Sequence, residues 1–188
     1  ADGSHRERLA EKGNGRLTVA WTQNDRASGY QICYSTNSEF QGGRSIDIPS
    51  TQNPQKVIGG LKEGERYYIK VRAFNSFGSR TYYSAWSEIQ SVIHTTIGLD
   101  NVTDGIEVTW TDVKEAREYR IYRKAFGESN FVCIAVVKDK TIYVDAAVEN
   151  GASYCYYVAP QVADVKAMTN VEAQMYLVAP KIEKLWNN

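Results

Sequence analysis

Charge of one sign, histidine, paired cysteine and long apolar runs are all scarce in this chain, and each scarcity removes a class of function. Over 188 residues Lys plus Arg total 22 and Asp plus Glu total 22. No net field therefore gathers a phosphate backbone or an anionic lipid surface, and nucleic acid and membrane surfaces are not expected partners. The longest apolar runs, such as Cys133-Ile134-Ala135-Val136-Val137, fall far short of the ~20 residues a membrane helix needs, so no membrane insertion is expected. No charged, apolar and small-residue sequence in signal-peptide order opens the chain, which places any export signal on a longer precursor.

Three cysteines, Cys33, Cys133 and Cys155, have neither Cys-x-x-Cys spacing nor an even count, against a metal knuckle or redox motif. Two histidines, His5 and His94, are too few for histidine-based zinc or acid–base chemistry. No serine sits in a Gly-x-Ser-x-Gly elbow. The carboxylates of Asp25, Asp47, Asp104 and Asp145 fall singly in turn-like contexts, not as the facing pair of a glycosidase. Asp100 and Asp104 lack the dense spacing of a calcium loop and read as turn formers. No catalytic residue, metal ligand or cofactor is expected, and the chain is not expected to be an enzyme.

What is present is strand-like alternation. Leu17, Val19 and Trp21 face one way with Thr18 and Ala20 between them, the mark of a half-buried strand. The pattern returns at Ile106, Val108 and Trp110, and the tryptophans are 89 residues apart. The same offset links Tyr30 to Tyr119 and Ile32 to Ile121, while Tyr67 and Tyr154 differ by 87. Such self-similarity signals an internal repeat. Asn14-Gly15 and Asp104-Gly105 precede the tryptophan strands and read as hairpin turns. No segment sustains a helical apolar stripe, and Val113-Lys114-Glu115-Ala116 reads as a loop between strands.

These features predict an all-β chain of two tandem antiparallel β-sandwiches, immunoglobulin-like, of about seven strands each. The expected division is a linker or expression remnant at 1–12, a first module at 13–95, a second at 96–180, and a tail or the start of a further module at 181–188. No Gly/Ser tract lies near Thr95-Thr96, so restricted swinging is expected there.

Leu61-Lys62-Glu63-Gly64-Glu65-Arg66-Tyr67, followed by Ile69, Val71 and Ala73, resembles the E-to-F region of fibronectin type III modules. The resemblance implies that Tyr67 sits at a sandwich corner with its hydroxyl on a nearby backbone group. Val148, Gly151, Tyr154, Tyr156 and Val158 repeat the pattern, with Pro160 where Ala73 stands earlier. A proline inside a paired strand predicts fraying or a bulge there. Gly29-Tyr30-Gln31-Ile32-Cys33-Tyr34-Ser35-Thr36-Asn37-Ser38 and Tyr82-Tyr83-Ser84-Ala85-Trp86-Ser87 resemble repeats of Gram-positive bacterial surface or secreted proteins, as does Tyr119-Arg120-Ile121-Tyr122-Arg123-Lys124. The structural residues expected from these patterns are Trp21, Tyr67, Trp110 and Tyr154.

The candidate ligand contacts are Phe77, Tyr82, Tyr83 and Trp86, near the expected F-to-G loop and strand G. Lys70 and Arg72 should face outward beside them, so Trp86 is expected to stack on Arg72. Cys33 and Cys155 are expected to face away from the cores. Cys133 and Cys155, separated by one strand at about 9–10 Å, should stay free thiols. Asn101-Val102-Thr103 is a formal glycosylation sequon, and no Arg-Gly-Asp tripeptide is present for an integrin route. The chain is thus expected to be a non-catalytic spacer or adhesive module pair of a larger secreted or cell-surface bacterial protein, extracellular and monomeric, with a protein or a cell-wall or extracellular glycan as partner. The alternatives are an accessory polysaccharide-binding module of a carbohydrate-active enzyme and, from the half Trp-Ser box Ser84-Ala85-Trp86-Ser87, a receptor ectodomain.

Overall fold

A computed structural model describes residues 15–49 and 53–188. The expected leading segment 1–12, with His5, and Asn14 of the first hairpin turn lie outside the described residues. The described residues hold no helix. The chain divides between His94 and Thr95 into two compact units, the second comprising Thr95–Ala163 and Ala167–Asn188.

The first unit carries β1 (Gly15–Ala20), β2 (Gly29–Ser35), β3 (Arg44–Ile48), β4 (Gln55–Leu61), β5 (Arg66–Phe77), β6 (Arg80–Tyr83) and β7 (Gln90–Ile93). One sheet pairs β1 with β4; the other runs β3-β2-β5-β6, with β7 also on β5. Alternation along β2 and β5 sends Ile32, Tyr67 and Ile69 inward to meet Ile58 and Leu61 of β4, and Leu17, Val19, Trp21 and Val71 pack around them. Burying a Leu or Ile side chain contributes about 1.5–3 kcal/mol, so this interior is the main source of the unit's stability.

The second unit carries β8 (Ile97–Val102), β9 (Gly105–Trp110), β10 (Glu118–Ala125), β11 (Val132–Lys138), β12 (Ile142–Asp145), β13 (Ser153–Val162) and β15 (Glu172–Met175), and the two-residue β14 (Val165–Lys166), outside the unit's own residues, pairs with β13. Its sheets run β12-β9-β8 and β11-β10-β13-β14, with β15 also on β13. Strand β9 has a neighbour on each side, and Ile106 and Val108 are fully buried with Trp110 nearly so. The turn at Thr103-Asp104 closes the β8–β9 hairpin. Gly105, at φ +156, opens β9 where a Cβ would lie 2.0 Å from the carbonyl oxygen of Asp145, which only glycine tolerates. Val113-Lys114-Glu115-Ala116 is indeed a loop.

Strand β13 does not fray at Pro160: it runs unbroken to Val162, with Pro160 opposite Tyr119 and no register shift. The reason is visible in the first unit. There the equivalent Ala73, opposite Tyr30, points its N–H away from β2 to the hydroxyl of Ser84 at 2.9 Å. A proline at that position removes a side-chain contact and no ladder bond.

Three carboxylates also depart from the expectation of single turn residues. Asp47 lies on β3 and accepts a hydrogen bond from Gln31, and Asp100 lies on β8 opposite Glu107. Asp145 ends β12 almost completely buried. Alternation places Asp145 inward, so it needs a charged partner and not a solvated turn.

Candidate functional site

The outer face of the first unit is built by two serines that replace regular pairing after β6. The Ser84 amide donates to the Ala73 carbonyl at 2.9 Å, and the Ala73 amide donates to the Ser84 hydroxyl at 2.9 Å. Ser87 repeats the exchange with Val71 at 2.8 and 3.0 Å. The chain is held to β5 at both points, and Trp86 between them is laid across the outward side chains of β5. The Arg72 guanidinium sits between Tyr83 at 3.8 Å and Trp86 at 4.3 Å from the ring centroids. The Lys70 ammonium sits between Trp86 at 4.7 Å and Phe40 at 4.1 Å.

The result is an alternating ladder, Tyr83, Arg72, Trp86, Lys70, Phe40, with each contact contributing about 0.5–1 kcal/mol where exposed. Arg72 is fixed further by donating its Nε–H to Gln31 at 2.8 Å, and Gln31 donates to Asp47 at 2.9 Å. Phe40 holds a left-handed φ of +60, a strained backbone for an aromatic residue, and its ring closes the ladder.

The four candidate contacts therefore do not form one cluster. Tyr83 and Trp86 share Arg72 on the outer face. Tyr82 alternates to the other face, opposite Asn75, with Arg80 5.8 Å from its ring centroid. Phe77 ends β5 opposite Arg80 and is 82 % exposed. Trp86 is half-buried between two cations, Tyr82 and Tyr83 each have one cation near the ring and stay about half exposed, and Phe77 is the most open of the four.

The structural residues act in pairs across the repeat. The Tyr67 hydroxyl accepts the Lys62 amide at 2.8 Å, and the Tyr154 hydroxyl accepts the Glu149 amide at 2.9 Å. Trp21 packs on Tyr30 with centroids 5.2 Å apart, and Trp110 on Tyr119 at 5.3 Å. A second corner, whose sequence signal was only the 89-residue repeat, emerges from those partners. The Tyr30 hydroxyl accepts the Asn24 amide at 2.7 Å; the Tyr119 hydroxyl accepts the Val113 amide at 2.9 Å and donates to Asp112 at 2.7 Å. Burial and the Asp112 carboxylate together push the Tyr119 phenol up to about 12.

The second unit answers the ladder differently. Thr169 exchanges backbone and hydroxyl bonds with Val158 at 2.8 and 2.9 Å, the role of Ser87. The residue before it is Met168 where the first unit has Trp86, and it is exposed. The rings of Tyr122 and Tyr157 stack at 4.6 Å instead, with Phe131 edge-on to Tyr157 at 4.8 Å. Burial, then the neighbouring Tyr122 and Cys133, raises the Tyr157 phenol above its ordinary value.

Inside the second unit lies a charged trio that sequence patterning missed. Arg123 donates to both Asp145 oxygens at 3.1 and 2.8 Å and to the Ala147 carbonyl at 2.9 Å. Tyr156 donates to Asp145 at 2.7 Å. Burial opposes the Arg123 charge, yet the Asp145 hydrogen bond and charge outweigh it and raise the guanidinium pKa. Burial first, and then Asp145, drives the Tyr156 phenol far upward.

The thiols are unpaired. Cys133 on β11 and Cys155 on β13 flank β10. Cys33 lies opposite Ser45 and Lys70 and is only 9 % exposed, so it is buried on the ladder side and does not project into solvent. The sequon asparagine, Asn101, donates its side-chain amide to the Met175 carbonyl at 2.9 Å and has its side-chain oxygen buried. Among the described residues no group of three or more His, Cys, Asp or Glu side chains gathers that could hold a metal ion. A groove of about 500 Å³ along β1 is lined by the apolar Leu17, Val19, Trp21, Ile69, Val71 and Val92, side chains that pack the sandwich interior.

Residues 7–90 match the fibronectin type III domain family. A 77-residue stretch, 41 % of this chain, is 36 % identical to part of the Kelch domain-containing protein SSO1033 of Saccharolobus solfataricus, and the match spans a tenth of that protein's length. Among solved structures, the chicken CNTN1 FN1-FN3 domains are 17 % identical with a TM-score of 0.39, covering 88 % of this chain and 61 % of that one. A two-domain fibronectin type III segment of chicken tenascin is 16 % identical with a TM-score of 0.36, covering 87 % of this chain and 92 % of that one.

Proposed function

We propose that the chain, whose residues 7–90 match the fibronectin type III family and whose second unit repeats the same strand plan, is a tandem of such modules serving as a non-catalytic spacer and interaction unit of a larger secreted or cell-surface bacterial protein. The observation that carries this reading is the fate of the reactive-looking side chains. Arg72, Lys70, Tyr83 and Trp86 are consumed in one another's contacts, and Arg123, Asp145 and Tyr156 in theirs. They hold the sandwiches together. The likeness of one stretch to a tenth of a much longer protein supports a module that works within a larger whole.

The interaction role falls to the β5–β6 hairpin, where Phe77 and Tyr82 present exposed rings beside the hairpin turn. The partner is a protein or a cell-wall or extracellular glycan. Their exposure is also what favours the second reading, an accessory module that grips polysaccharide in a carbohydrate-active enzyme. Titration of the fragment against cell-wall glycans, plant polysaccharides and matrix proteins separates the two. Saturable polysaccharide binding lost in Phe77→Ala and Tyr82→Ala selects the second reading. Protein or cell-wall binding lost in the same variants, or no binding with both variants folded, retains the first. Turnover of any panel substrate that one substitution abolishes overturns both.

A further inference from the structure

The two modules end their larger sheets on topologically equivalent strands, β3 beside β2 and β11 beside β10, and only one of these edges is guarded. Strand β3 has five residues and carries Arg44 and Asp47, the short charged form by which natural sheets discourage edge pairing. Strand β11 has seven residues, and from Phe131 to Val137 the sequence holds no charge, proline or glycine. Val132 is 60 % exposed and Val136 51 % exposed, and Cys133 is also exposed. A free, apolar, β-branched edge is a template for strand addition.

We propose that β11 is a docking edge for a second copy of this chain, which adds its own β11 antiparallel about a two-fold axis. The occupant follows from the charges at the strand's ends. Glu128 precedes β11, while Lys138 closes it and Asp139, facing Arg117 of its own chain, and Lys140 follow. Antiparallel self-pairing brings the acidic approach of each copy towards the basic exit of the other, and no like charges are opposed. Pairing the full strand places the axis at its midpoint, Ala135, so Ile134 faces Val136 of the other copy and Cys133 faces its Val137.

One strand edge buries less than the ~1,000 Å² of a stable interface, and the register shift between Ile121 and Tyr122 in the β10–β11 pairing leaves a bulge on β11 that shortens the regular ladder. The association is therefore weak for free chains and strong only where copies are crowded, as by display on one surface.

Sedimentation equilibrium of the whole chain under a reducing agent, from about 10 µM to about 1 mM, tests this. The expected result is a rising mass with a dimer limit. Val136→Lys, at an exposed outward position, should weaken the association at least about tenfold, with the second module still melting cooperatively although the new lysine stands opposite Arg120. Ser45→Lys on β3 should leave it unaltered. A mass constant up to the highest concentration overturns the proposal, as does a dimer that survives Val136→Lys or that exists only without the reducing agent.

Discussion

Replacing Arg123 with methionine strips Asp145 of the cation that pairs with it while keeping the aliphatic packing. Asp145 would lose two charge-assisted bonds and keep the Tyr156 hydroxyl at 2.7 Å and the Ala147 amide at 3.1 Å. Breaking a buried ion pair from one side costs about 3–5 kcal/mol. The Arg123 side chain retains 23 % exposure against 2 % for Asp145, so water reaches one end and the lower figure, about 3 kcal/mol, applies. For a domain of this size that is a drop of roughly 12–24 °C in Tm, confined to the second module. The first module supplies the reference residues. Tyr34 lies opposite Ile69 as Arg123 lies opposite Tyr156, and the repeat aligns Ile58 with Asp145. The same three places hold a tyrosine and two isoleucines in one module and an ion pair with a tyrosine in the other. The triple variant Arg123→Tyr, Asp145→Ile, Tyr156→Ile should therefore return to wild-type stability or exceed it by about 1–4 kcal/mol. Calorimetry resolving the two modules' transitions reads both variants. A single-variant loss below about 1 kcal/mol, or a triple variant less stable than Arg123→Met, refutes the reasoning.

Tyr67→Phe and Tyr154→Phe each strand a backbone amide and should cost about 1–2 kcal/mol in their own module by denaturant unfolding. Trp86→Ala removes two cation–π contacts and should lower first-module stability by about 1–2 kcal/mol, whereas Phe77→Ala should stay within about 0.5 kcal/mol. Equal effects of those two changes would deny the ladder a structural role. Tyr119 has its phenol raised to about 12 from 10.0. The folded state therefore holds that proton where the unfolded chain has released it. Its contribution is intact below about pH 10 and is lost as pH rises through about 12, so second-module stability should fall across that window. In Tyr119→Phe the fall should be smaller, as read by Tm against pH. Gly105→Ala should destabilise the second module by at least ~2 kcal/mol, because its Cβ meets the Asp145 backbone 2.0 Å away.

The fold was legible because period-2 alternation and turn residues are local signals. Leu17, Val19 and Trp21 announce their strand without any knowledge of what covers it, and the 89-residue repeat then supplies the module count. The tyrosine corner was legible through the resemblance, and the Trp86–Arg72 contact through alternation on one strand beside its neighbour. The split of the aromatic candidates was not. Tyr82 and Tyr83 are adjacent in sequence, and adjacency in a strand means opposite faces, but the face each one takes depends on the register of β6 against β5. Phe40 was illegible for a related reason, since it reaches Lys70 through a left-handed turn residue that no strand period describes.

Asp145 and Pro160 show where sequence rules mislead in opposite directions. An aspartate at a strand end reads as a turn former because most are, and its burial here is set by Arg123, 22 residues away on a strand of the other sheet. The cost of that charge is invisible until the partner is placed. A proline in a paired strand reads as a defect because half of all strand amides face a ladder partner. Pro160 occupies the other half, at the position where the first module sends the amide of Ala73 away from the ladder to a serine hydroxyl. Pro160→Ala would add an amide that faces away from β10 and makes no bond in that ladder. The substitution that looks most helpful for a β-strand should therefore bring little stability to this one.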